Sequence, residues 1–161
     1  MKIKTIRFRR KREKITDYNT RLTLLKSEKP RLVVRKSSAS IYAQIVEYDP
    51  NGDKVLVAAS SADLKKAGWK HSGKNIPAAY LIGSLVAKRA ISKNVKEVVL
   101  DIGRYPATKG NKIFACLKGA VDSGLHVPHS NTIFPSKERL EGKHINDHIS
   151  KEIELIKTKL N

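Results

Sequence analysis

Apolar and polar positions change their spacing several times along the 161 residues, and each change marks an element. From Thr16 to Leu25 a capping residue is followed by Tyr18, Leu22 and Leu25 at spacings of four and three, which predicts a short helix. Lys29-Pro30 ends it, because proline disfavours helical geometry in the residue before it. Arg31 to Lys36 then predicts a strand, Ser37 to Ser40 a turn, and Ile41 to Tyr48 a second strand rich in β-branched and aromatic residues. Asp49-Pro50-Asn51-Gly52-Asp53 is a turn signal, and Lys54 to Ser60 returns as a third strand. Three successive strands joined by short turns imply an antiparallel meander.

Asn75-Ile76-Pro77 opens a helix whose buried stripe is Ile82, Leu85, Val86 and Ala90. Lys96 to Ile102 is short and almost continuously apolar, the pattern of a strand covered on both faces, so a central place in the sheet is expected. A loop from Gly103 to Gly110 leads to a helix from Asn111 to Ser123, with Ile113, Phe114, Leu117 and Val121 toward the core and Gly124 as its stop. After Pro128 and Pro135, the residues Ile145, Ile149, Ile153 and Ile156 recur at helical spacing, an amphipathic helix in need of a docking surface. The expectation is an α/β fold, a β-β-β-α-β-α mixed sheet with helices packed on it. A basic N-terminal arm covers residues 1–15, the domain 16–125 and a C-terminal extension 126–161.

Charge changes this picture from a fold to a partner. Lys and Arg number 33 against 15 Asp and Glu, a net +18, more than solubility requires and suited to a polyanion. Residues 1–36 hold fourteen of those cations and three acids. The densest run, Arg7-Phe8-Arg9-Arg10-Lys11-Arg12, has no apolar periodicity, so by itself it reads as a mobile arm that orders against phosphate, with Phe8 offering a ring to a base. A merely solvated tail and a nuclear-localisation-type signal are the plainer readings of such a run. No stretch approaches the roughly 18 apolar residues of a membrane span, and the N-terminus lacks a secretory pattern, so no membrane partner is expected. The single Cys116, set in an apolar helical pattern, reads as a core thiol in a reducing cytosol.

Catalytic constellations are thin. His126 with His129 and His144 with His148 have spacings that zinc ligands use, but an all-histidine site without thiolates is unusual, and no metal or cofactor is expected. A metal-dependent RNA nuclease needs converging carboxylates; Asp63, Asp101 and Asp122 are the candidates, with Asp101 best placed, and a turn or cap role is the plainer reading of each. Two loops suit RNA better. Arg104, Tyr105, Lys109 and Lys112 combine cations, a stacking ring and glycines at a helix start, and Trp69, Lys70, His71 and Lys74 repeat that chemistry, although Trp69 reads equally well as a core anchor.

The segments Lys29 to Ser37 and Ile41 to Val46, then Val99 to Tyr105 and Lys112 to Leu125, resemble the universal large-subunit ribosomal protein eighteen family, called protein five in eukaryotes. Gly68-Trp69-Lys70, Pro77 to Leu81, Val127 to Ser130 and Ile133 to Pro135 resemble its archaeal and eukaryotic branch. The resemblance spans about residues 16 to 140. It implies a non-catalytic cytoplasmic protein of the large ribosomal subunit that binds 5S ribosomal RNA, touches the large-subunit RNA in the central protuberance and neighbours other ribosomal proteins. Carried onto this chain, it implies RNA contacts at Arg7, Arg9, Arg10, Lys11, Arg12, Arg31, Arg35, Lys36, Arg104, Tyr105 and Lys109; Arg21 on the first helix joins them. A nonspecific RNA-binding protein and a nuclease using Asp101 stand as alternatives.

Overall fold

A computed structural model of the chain describes residues 5–145 and 148–159. The four-stranded sheet has the order β3-β2-β1-β4. β1 (Arg31–Lys36), β2 (Ile41–Glu47) and β3 (Lys54–Ser60) form the expected antiparallel meander, with Leu32 opposite Ile45 and Ala43 opposite Ala59. Alternation puts Leu32, Val34, Ile41, Ala43 and Ile45 on one buried face. A register shift between Ile45 and Val46 gives β2 two consecutive buried residues.

β4 (Val99–Asp101) corrects one expectation: it lies at the sheet edge, parallel to β1, and runs for three residues only. The meander already occupies both sides of β2 and one side of β1, so a strand arriving after a helical crossover takes the outer side of β1. Its apolar run reflects cover from another source. The chain after the next helix adds a parallel bridge between Glu97 and His126, and Val98 donates to the His126 carbonyl at 3.0 Å.

α4 (Ile76–Ile91) is capped by Asn75, whose Oδ1 accepts from Ala78 N at 2.8 Å, and it is buried on almost every side. α5 (Lys112–Asp122), capped by Asn111, crosses it backbone to backbone. A Cβ on Gly83 would stand 1.9 Å from the Cys116 carbonyl oxygen, and one on Gly119 would stand 2.0 Å from that of Tyr80. Cys116 is the core thiol its sequence context suggested, and burial pushes it up to about 12.

Three parts of the chain go beyond the expected element order. α3 (Ser61–Lys66) follows β3 directly, with the Asp63 carboxylate accepting from Ser60 N at 2.9 Å and Ser60 Oγ at 3.1 Å. Six residues carry too few apolar positions to show a period. The basic run folds at α1 (Arg9–Arg12) and turns back toward α2 (Tyr18–Leu25): Arg10 Nε donates to Thr16 Oγ1 at 2.9 Å, and the Phe8 and Tyr18 rings stand 5.7 Å apart. Residues 1–4 of the arm lie outside the described residues. After a 3-10 turn at Asn131–Ile133 and α6 (Lys137–Leu140), α7 (His148–Lys159) docks on α4 through Ile149, Ile153 and Ile156, all part of the main core. Lys157 Nζ lies 3.2 Å from the Tyr80 hydroxyl, which donates to Asp122 at 3.0 Å; burial, then the Asp122 charge, pushes that phenol up to about 12.

Candidate nucleic-acid interface

Lys36, Lys74 and Lys112 come from the end of β1, the loop before α4 and the first turn of α5, and the fold brings them together. The loop is pinned to the hairpin by Ser61, whose Oγ accepts from Ile41 N at 2.9 Å and donates to the Gly73 carbonyl at 2.6 Å. A Cβ on Gly73 would stand 2.7 Å from that of Ser61, so glycine permits the close approach. Tyr105 closes the cluster: its hydroxyl donates to the Lys36 carbonyl at 2.7 Å, and Lys36 Nζ sits 5.1 Å from its ring centre. Among the described residues no carboxylate pairs with any of the three ammonium groups. The Lys112 ammonium is held below its ordinary value, first by partial burial and then by repulsion from Lys36 and Lys74. Holding like charges together at the starts of two capped helices is unfavourable for the free protein and favourable for one bound to phosphate.

The other face of the sheet holds a second basic group, ordered by acids. Arg31 donates to Asp101 at 2.9 Å and to Asp53 at 2.6 Å; Arg21 reaches Asp53 at 2.8 Å. Arg35 reaches the Asp101 carboxylate at 3.3 Å and its carbonyl at 3.0 Å, and Gly103 N donates to Asp101 at 2.8 Å. Gly103 has φ +62, and a Cβ there would meet the Arg35 guanidinium at 3.0 Å, so glycine is favoured on both counts.

Asp101 is thereby engaged on both oxygens. Two guanidinium groups and a backbone amide take three hydrogen bonds from it, and a carboxylate held between two cations is a poor ligand for a third. Asp63 caps α3 and Asp122 pairs with Lys118 and Tyr80, so the three candidate carboxylates stand in separate structural roles. Among the described residues no group of three or more His, Cys, Asp or Glu is placed to hold a metal. His129 Nδ1 contacts the Val127 carbonyl at 2.7 Å and His126 pairs with Glu97; the side chain of His148 lies outside the described residues.

Two sequence candidates change character. Arg31 is 3% exposed with both Nη atoms paired to carboxylates, so it organises the sheet from inside and offers little surface to a partner. Trp69, also 3% exposed, is the core anchor of its two readings, with Nε1 donating to the Ser72 carbonyl at 3.2 Å. His71 packs edge-on to it at 5.2 Å and faces Glu152 of α7 at 3.0 Å, leaving Lys70 and Lys74 as the exposed cations of that loop. Arg7, Phe8, Arg9, Lys11, Arg12, Arg104 and Lys109 are exposed. Sequence reading missed Asp53, which lies inside a turn signal and gives no hint of its reach to Arg21 and Arg31.

Burial works to raise the Asp53 carboxyl, and the hydrogen bonds from Arg31 and Arg21 outweigh it, so it lies below the ordinary 3.8. A lowered folded value adds stability that is complete above the unfolded value and is lost as pH falls through the folded one. Asp53→Asn is therefore expected to destabilise the protein at about pH 6, with the gap from the parent protein closing below about pH 4 in urea titrations. A gap independent of pH would remove Asp53 from the acid transition.

No described helix is long and apolar enough to cross a membrane. The family described as ribosomal large subunit proteins 60S L5 and 50S L18 matches residues 2–98 and 92–130. The large ribosomal subunit protein uL18 of Korarchaeum cryptofilum is 51% identical over 140 residues, which cover 87% of this chain and 72% of that protein.

Proposed function

The chain belongs to the family of ribosomal large subunit proteins 60S L5 and 50S L18, and from that premise we propose that it binds 5S ribosomal RNA and helps fasten it to the large-subunit RNA, without catalysing a reaction. Membership makes it a ribosomal protein of the large subunit with ribosomal RNA as its partner; the choice of 5S RNA, the central protuberance and the contact residues are the finer reading. The observation that carries it is the unneutralised cluster of Lys36, Lys74 and Lys112 beside Tyr105. Such a cluster pays for itself only against a polyanion held in fixed geometry.

The arm and the cluster divide the work. Exposed arginines on α1 supply counterion release, which is strong, salt-sensitive and blind to sequence. The cluster supplies position, because Ser61 ties the Gly73 loop to the hairpin and Tyr105 ties its own loop to Lys36. Neighbouring ribosomal proteins are further partners under this reading.

In magnesium-containing buffer the protein is expected to bind 5S ribosomal RNA more tightly than a length-matched unrelated RNA; equal affinities would sink the proposal and favour a nonspecific basic protein. Reversing Lys36, Lys74 and Lys112 to glutamate is expected to weaken 5S RNA binding by about a hundredfold or more, each lost phosphate contact flattening the log–log salt dependence by about one unit. Removing residues 1–14 should also flatten that slope while keeping the preference for 5S RNA. A slope unchanged by truncation would clear the arm of phosphate contact.

A further inference from the structure

The sheet face turned away from α4 and α5 contains a cavity of about 390 Å3, walled on one side by α2 and the end of the arm. That volume lies within the range of about 300–1,000 Å3 typical of small-ligand sites. Val33, Val46 and Val55 give it an apolar surface, and Arg10, Arg35 and Arg104 line it with positive charge. The carboxylates of Asp17, Asp53 and Asp101 offset part of that charge, and with Arg21 and Arg31 counted the five arginines of the lining still exceed its three acids by two.

Two polar groups are left over, one sealed behind the cavity wall and one in it. Arg31 Nε is buried to less than 1 Å2 and has no hydrogen-bond partner, although both its Nη atoms are paired. The Gln44 carboxamide, on the middle strand of the meander, makes no hydrogen bond among the described residues. A buried donor without a partner is costly, and a carboxamide that both donates and accepts is the group suited to reading a base edge. Apolar surface beside it suits the face of a ring, and arginines at the opening suit a phosphodiester.

From this juxtaposition we infer that the cavity receives a single nucleotide turned out of the bound RNA, its base edge on Gln44 and its phosphate on Arg35 and Arg104. The inference rests on the RNA-binding reading and deepens it: phosphate contacts at the lysine cluster position the RNA, and this cavity reads one base. Acid-held arginines serve the purpose because Asp101 fixes Arg35 before the RNA arrives.

The test uses the full chain and 5S ribosomal RNA, with every base edge probed in the complex by dimethyl sulfate and a carbodiimide. One unpaired nucleotide is expected to be protected by the parent protein and to become reactive with Gln44→Leu. Affinity should fall about tenfold with the salt slope unchanged, because no phosphate contact is removed. Gln44→Glu keeps the side-chain shape and Val55→Trp fills the cavity from a half-exposed edge position; both should release the same nucleotide, with folding checked by circular dichroism. Unchanged protection and affinity in all three variants would overturn the cavity site and leave the RNA reading standing. A parent protein that does not select 5S RNA would remove the reading itself.

Discussion

Gly83→Ala is expected to lower the unfolding free energy by about 3 kcal/mol or more, read from the urea midpoint of the circular dichroism transition. The sign is diagnostic. Gly83 lies inside α4 in ordinary helical geometry, so propensity alone would make alanine more favourable by about 1 kcal/mol. The opposing term is steric: the new methyl would stand 1.9 Å from a main-chain oxygen of α5, and a backbone cannot step aside as a side-chain tip does. The two helices would have to separate along a contact that forms much of the core. Gly119→Ala should act in the same way from the other helix, and the double variant should lose less than the sum, because one separation relieves both clashes. A neutral or stabilised Gly83→Ala would mean that the helices do not cross at these glycines.

Asp101→Ala is expected to be comparably damaging, by about 3–5 kcal/mol, since it strands a buried cation. Arg31 is 3% exposed and would keep Asp53 alone as its partner, while Arg35 would lose its carboxylate contact. Removing both charges as Arg31→Met with Asp101→Leu should recover much of that loss, because two paired charges leave the interior together. The same experiment separates scaffold from catalyst. A structural Asp101 gives a less stable protein with no magnesium- or manganese-dependent RNA cleavage to lose; cleavage by the parent protein that vanishes in Asp101→Asn would restore the nuclease alternative.

The elements that the sequence made plain are those whose signal is local. β1, β2 and β3 follow from alternation and from the Asp49 to Asp53 turn, and α4 and α5 begin at the asparagines that cap them. The lysine cluster was legible residue by residue, since Lys36, Lys74 and Lys112 each stand in a basic segment with turn residues nearby. Its convergence was not, because it depends on Ser61 tying the Gly73 loop to the hairpin across a sequence gap. Position in the sheet was misread for β4 because an apolar run reports cover and not strand order; here some of the cover comes from the His126 segment. The burial of Trp69 was undecidable locally, as an indole beside lysines fits both a stacking platform and a core anchor.

The sequence by itself determined the charge, the family and the longer elements, because composition, ordered motifs and short-range periodicity need no knowledge of what lies across the fold. Tertiary structure alone decided which cations face outward. Arg31 and Arg35 are four residues apart on one strand face, yet the first is enclosed by Asp53 and Asp101 while the second keeps a half-exposed guanidinium at the cavity. Their difference arises from carboxylates brought from β4 and the β2–β3 turn, contacts whose energy depends on distance in space and leaves no periodicity along the chain.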